Sequence, residues 1–170
     1  MMAYLKENVT GEQTPITTVL HYSRIGNELH FKFVCENSKL FSAYSGYNEP
    51  IYRGDVCEVF LCTSGNIKEY YEIEVAPNGA VFFAKIVNDN GLHTSFLENT
   101  IKTNVEITEV GYNVDIVVPC DVVGVNDNVP IMFNAFRIET EGGHENRHLL
   151  ALSPTLVPRF HVPESFIEFK

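Results

Sequence analysis

The sequence predicts an all-β chain, a β-sandwich of two antiparallel sheets. Three observations predict it. Apolar residues alternate with period two along many short runs, as half-buried strands require. Gly, Asn, Asp and Pro clusters punctuate those runs at regular intervals. No stretch carries the 3.6-residue periodicity of an amphipathic helix of three turns, and no internal repeat or linker divides the chain. The 170 residues, 45% hydrophobic and 20% charged, fit one domain over residues 1–170 with a core of ordinary globular size.

The elements follow in order. A β-rich run from Thr17 to Tyr22, a turn at Ile25-Gly26-Asn27 and the alternating "ELHFKFVCE" (Leu29, Phe31, Phe33, Cys35 on one face) read as a hairpin. In "DVCEVFLC", Cys57, Val59 and Leu61 form a core face, so Glu58 points the other way with Val56 and Phe60. In "YYEIEVA", Tyr71, Ile73 and Val75 are core, which turns Tyr70, Glu72 and Glu74 to the opposite face. Pro77-Asn78-Gly79 leads into "AVFFAKIV", and Asn88-Asp89-Asn90-Gly91 ends it. "GYNVDIVVP" and "IMFNAFRIE" repeat the texture. In the latter, Met132, Asn134, Phe136 and Ile138 share one face, with Met132 read as core, and Arg137 shares the other with Phe133 and Ala135. Were these strands neighbours, one sheet face would carry Glu58, Glu72 or Glu74, and Arg137.

A formal net charge of -10 argues against nucleic acid and against an anionic membrane surface as partners. No apolar run approaches a membrane span. The first residues lack the basic and apolar regions of a secretory leader, so the expected location is cytoplasmic if this N-terminus is native, and secreted if a leader has been removed. None of the four cysteines forms a C-x-x-C pair; Cys35, Cys57 and Cys120 sit in apolar runs and read as buried thiols, with disulfides the alternative in an exported protein.

His144-Glu145-Asn146-Arg147-His148 spells the H-E-x-x-H pattern of zinc peptidases, with Glu164 or Glu168 available as a third ligand. That pattern works on a helix, which projects both histidines from one face. Here Gly142 and Gly143 precede it, Pro154, Pro158 and Pro163 follow, and the surroundings are β. The expectation is a loop or strand edge, with no metal site and no catalytic residue.

A face bearing carboxylates and Arg is either a solvated surface of cross-strand ion pairs or a platform for a hydroxylated ligand, since both groups bond adjacent hydroxyls directionally. The ordered stretches "GDVCEVFL", "YYEIEVAPNGAVF", "FNAFRIET", "LALSPT" and "PRFHVPESFIEF" resemble the family 9-like carbohydrate-binding modules of the DOMON-like superfamily, from about Leu29 to Phe169. The resemblance implies a β-sandwich without catalytic machinery that binds a mono- or oligosaccharide, and association with a separate carbohydrate-active enzyme. Members of that family hold a sugar between two tryptophans; this chain has no Trp. Tyr52 and Phe160 fall where the two aromatic walls are expected, and the strand carboxylate maps to Glu58. Glu72 falls near a basic side chain of the family, which inverts that contact, and Asn134 and Arg137 map to its late-strand polar groups.

Plainer roles exist for some of these. Tyr52 also reads as a strand-end packing residue, Phe160 as a plug anchoring the C-terminal segment, and His161 as a partner for a carbonyl. Some family members hold structural calcium, but Val87–Gly91 and Gly124–Pro130 lack the spacing of a calcium loop and read as turns. Met132 in the core leaves no axial ligand for haem. Two other functions compete: a sugar-acting enzyme using two of Glu58, Glu72 and Glu74 as acid and base, marked by a raised carboxyl pKa in a deep pocket, and a ligand-free structural or interaction sandwich.

Overall fold

Gly26, at φ 57°, turns the chain between β3 (Thr18–Ile25) and β4 (Glu28–Glu36), and the alternating side chains of the two strands register antiparallel, as the hairpin reading requires. A second tight turn, with Gly79 at φ 86°, joins β6 (Glu69–Val75) to β7 (Val81–Asn88). Both turns use left-handed backbone that glycine adopts without a Cβ penalty. This computed structural model describes residues 1–170 apart from Ser38 and His144.

The remaining strands are β1 (Met2–Tyr4), β2 (Lys6–Glu7), β5 (Val56–Cys62), β8 (Leu92–Phe96), β9 (Lys102–Thr108), β10 (Gly111–Pro119), β11 (Met132–Glu139), β12 (His148–Ala151) and β13 (Ile167–Glu168). They form two antiparallel sheets, one ordered β1-β3-β4-β10-β9 and the other β2-β12-β11-β5-β6-β7-β8, with β13 paired to β11. The described residues include two single 3-10 turns, Ile51–Arg53 and Pro163–Ser165, and no α-helix. The architecture is the β-sandwich the alternation predicts.

The inner faces bury one core, with Phe31, Phe33, Val114 and Ile116 from one sheet against Val59, Leu61, Ile73, Phe83 and Phe133 from the other. Tyr22, Phe31, Phe133 and Phe169 pack edge-on or tilted there, with ring centroids 4.9–5.9 Å apart. All four cysteines are free and buried; Cys35 and Cys57 face each other across the sheets with sulfurs 3.5 Å apart.

A second core differs from the half-buried strands that the alternation suggests. β5 is buried at every one of its positions, because the outer face of the larger sheet is also covered. Phe60, Tyr70, Ala84, Ile86, Phe136 and Ile138 on that face pack with Ile51, Phe160 and Phe166 from the flanking segments. Two buried polar residues tie those segments down. Asp55 accepts hydrogen bonds from the Thr140 N–H and hydroxyl and the Phe41 N–H, all at 2.8 Å, and so anchors the loop that carries Tyr52. Asn8 donates to the Thr155 hydroxyl and the Val157 carbonyl at 2.8 Å and accepts from the Thr155 N–H at 3.0 Å. That fixes the crossing that delivers Arg159 to His161 over the sheet.

Candidate ligand-binding cleft

The cover over the larger sheet is incomplete. Between the Tyr52 loop, the Pro158–His161 segment and the end of β8 lies a cleft of about 730 Å³, a size suited to a small organic ligand. Its floor is β5 and β6. Strand register sets Glu58 directly opposite Glu74, and Glu72 lies two residues along on the same face. Each carboxyl offers an oxygen within 4.8 Å of the other two. The walls are Tyr52, Phe82, Phe96, Phe160 and His161, with Arg147 and Arg159 also lining the opening.

These glutamates are not a solvated face. Glu58, Glu72 and Glu74 are 3%, 6% and 2% exposed, and among the described residues no Lys or Arg nitrogen stands within ion-pair distance of them. Burial raises all three carboxyls. Glu58 is pushed well above the usual carboxylate range by burial and by the Glu72 charge, with Arg147 offsetting part of it. Glu74 rises for the same reason, next to Glu58 and Glu72. Glu72 is pushed up to about 7 by burial. Desolvation disfavours the charged form, and neighbouring like charges add to the cost. The Tyr52 backbone N–H donates to the Glu74 carboxyl, and Glu72 and Glu74 hydrogen-bond each other, which takes a proton on one of them; no donor of the described residues reaches Glu74 Oε2.

His161 stacks on Phe60, with centroids 5.1 Å apart. Its Nδ1 meets the Tyr70 hydroxyl at 2.8 Å, not the carbonyl expected of it. Burial, then Arg159, pushes its pKa down to about 4, so the ring is neutral at pH 7. With the Tyr70 O–H donating to Nδ1, the proton sits on Nε2, which lies 3.6 Å from Glu72 Oε1.

The structure brings four of the six residues singled out from the sequence to one cleft: Tyr52, Glu58, Glu72 and Phe160. Tyr52 is 41% exposed and offers a ring face; Phe160 is 7% exposed, stacked on Phe136 at 4.3 Å, and serves as plug and wall together. Arg137 is a correction. Its strand parity is as read, but the face it shares with Phe133 and Ala135 is the inner one. There it is fully buried, donating to the Thr17 and Glu36 carbonyls at 3.3 and 2.8 Å and to the Thr18 hydroxyl at 2.7 Å, with its guanidinium 5.4 Å from the Tyr112 ring centre. It braces the two sheets, on the far side of β11 from the cleft. Asn134 is corrected as well. It lies on the outer face but under the C-terminal segment, donating to Ser153 O and Ser165 Oγ and accepting from the Ser153 N–H. Every bond it makes there is structural.

Sequence reasoning passed over Phe82, Phe96, Arg147 and Arg159. Phe82 was legible, since it pairs with Glu74 across the Pro77-Asn78-Gly79 turn; the others come from loops or an edge strand.

His144 of the H-E-x-x-H pattern lies outside the described residues. Glu145 to Arg147 adopt no helix and His148 opens β12, so a helical zinc-peptidase site does not form. His148 Nε2 instead meets Glu141 Oε1 at 2.8 Å. In the turns that offered oxygens for calcium, Asp89 pairs with Lys68 at 2.8 Å and Asp127 with Arg24 at 2.6 Å.

No family model matches the sequence, and no curated protein matches it. Solved structures do match the fold. A candidate carbohydrate-binding protein from Bacteroides uniformis superposes with a TM-score of 0.80 at 17% identity, covering 100% of this chain and 86% of that one. A family 9 carbohydrate-binding module from Caldicellulosiruptor kristjanssonii in complex with glucose gives 0.69 at 15% identity, over 98% of this chain and 82% of the module. One from the same organism in complex with cellotriose gives 0.64 at 14% identity, over 89% and 72%. The chain has the family 9 carbohydrate-binding-module fold.

Proposed function

We propose that this chain is a non-catalytic carbohydrate-binding module that takes a mono- or oligosaccharide in the cleft above Glu58, Glu72 and Glu74. The observation that carries the reading is the pairing, in one open cleft on the outer sheet face, of converging carboxylates with the exposed ring of Tyr52. Carboxylates accept from adjacent hydroxyls, and an aromatic ring covers the apolar face of a sugar. The bound glucose and cellotriose of the similarly folded modules support it. A module of this kind holds its saccharide for a separate carbohydrate-active enzyme.

Titration calorimetry against a panel of mono- and disaccharides tests it, with Glu58→Ala and Tyr52→Ala alongside. With one exposed ring in place of two indoles, the expected affinity is in the micromolar to millimolar range, weakened at least tenfold by either substitution. Absence of heat and of thermal stabilisation from every saccharide at millimolar concentration would sink the proposal.

One observation favours a second reading. Glu72 titrates near neutrality in a cleft with two further buried carboxyls, the mark set for a sugar-acting enzyme. Turnover of aryl glycosides, lost in Glu72→Gln, would establish catalysis; binding without turnover leaves the module reading in place.

A further inference from the structure

Three carboxyl groups converge on one point, and among the described residues no Lys or Arg nitrogen lies within ion-pair distance of them. We infer that the ligand of this cleft carries a protonated amine there, so that the saccharide class it fits best is an amino sugar or its oligomers. The inference rests on the saccharide reading and adds the charge of the ligand to it.

Geometry carries the argument. Three oxygens separated pairwise by no more than 4.8 Å have a common point no farther than about 2.8 Å from each, the separation of a charge-assisted N–H···O bond. A single ammonium nitrogen at that point has three protons to donate, one for an oxygen of each carboxyl group. A neutral hydroxyl there has one proton and no charge, and would leave two of the acceptors unserved. The site is also built rather than incidental. Glu74 is 2% exposed and lines the cleft, and its Oε2 has no donor among the described residues. Buried polar atoms are left unpaired rarely, and a waiting ligand is one reason.

The remaining groups facing the cluster leave it short of positive charge. His161 is held neutral by burial and adds no cation. Arg147 lines the cleft but donates to the Tyr52 carbonyl at 2.8 Å, and its charge offsets only part of the rise at Glu58; Arg159 is exposed at the opening, where solvent screens it. Tyr52, Phe82 and Phe96 supply aromatic walls, which favour a cation over bulk water. Without ligand, protons held by the glutamates neutralise the cluster, as their raised pKa values require; a bound ammonium replaces one of those protons, and the carboxyls that keep theirs accept from it through their carbonyl oxygens. A calcium ion takes six to eight oxygen ligands and makes no use of the aromatic walls, whereas most of this cleft is apolar wall sized for an organic molecule.

The test compares glucosamine, glucose and N-acetylglucosamine by calorimetry at pH 7, with cyclohexylamine as an amine lacking the sugar and calcium chloride as a metal alone. Glucosamine should bind at least tenfold tighter than both neutral sugars, and Glu74→Gln should erase that margin. Glu72→Gln serves as a second variant if Glu74→Gln does not fold, with a circular dichroism spectrum as the check. Equal affinity for glucosamine and glucose overturns the amine while the saccharide reading stands. Binding of cyclohexylamine with no sugar bound supports the cation site and overturns the saccharide reading. Binding of calcium with no amine preference, or of nothing at all, overturns the inference.

Discussion

Replacing Glu72 by Gln should stabilise this protein, and only above acidic pH. A carboxyl with a raised pKa keeps its proton in the folded state over a range where the unfolded chain has already released it. The folded form therefore binds more protons than the unfolded one, and stability falls as pH rises through that range. For Glu72 the window runs from the ordinary value of 4.5 to about 7. A displacement of that size corresponds to about 3 kcal/mol of lost stability by pH 8. Gln keeps the shape and carries no charge. It also removes the Glu72 charge that raises Glu58 and Glu74, which adds to the gain. His161 works in the opposite direction, since its lowered pKa costs stability as pH falls from 6.5 towards about 4, so the wild-type profile alone would blend the two. The difference between variant and wild type cancels His161 and leaves Glu72 together with its effect on Glu58 and Glu74. Urea unfolding followed by circular dichroism from pH 4 to 8 should show that difference growing from near zero to about 3 kcal/mol in favour of Gln. A difference that is flat with pH, or a variant less stable than wild type at pH 8, refutes the reasoning.

Two further substitutions probe the scaffold. Arg137→Ala strips donors from the Thr17 and Glu36 carbonyls and the Thr18 hydroxyl; at about 1 kcal/mol each the loss is about 3 kcal/mol in urea unfolding, and the proposed saccharide binding should be unchanged in the folded fraction. Loss of affinity at unchanged stability would return Arg137 to the binding site. At Gly54 an added Cβ would stand 2.6 Å from the Phe41 carbonyl oxygen and 2.8 Å from the Ala43 nitrogen, both backbone. Gly54→Ala should cost about 1–3 kcal/mol through overpacking and weaken ligand binding by moving the Tyr52 loop; a thermal melt and a titration identical to wild type would contradict this.

How far the chain could be read before its structure is clearest at β5, β6 and β11. Period-two alternation set Glu58, Glu72 and Glu74 on one face because Cys57, Val59, Leu61, Ile73 and Val75 are unmistakably apolar opposite them. The same alternation on β11 gave the correct parity and the wrong side for Arg137. Both faces of that strand are apolar, Phe133 and Ala135 on one and Phe136 and Ile138 on the other, and parity alone does not say which faces inward. The ambiguity has a physical source in the second core, which segments distant in sequence build over the outer face. Local periodicity carries no signal of a cover supplied by Ile51, Phe160 and Phe166. For the same reason the burial of the glutamates, and with it their altered acidity, was invisible.

The C-terminal segment gives the site a property that a rigid groove would lack. Phe160 and His161 are at once the packing that closes the second core and the wall that completes the cleft. Whenever that segment lifts, the wall leaves with it, so measured affinity is the intrinsic affinity scaled by the fraction of time the segment is seated. The converse also holds. An occupied cleft holds the segment down, slowing amide exchange and proteolysis there ahead of any change in the sheets. On the proposed function, tail docking and ligand capture are in this sense one equilibrium, and substitutions at Asn8 or Thr155, which lie outside the cleft lining, would tune affinity through it.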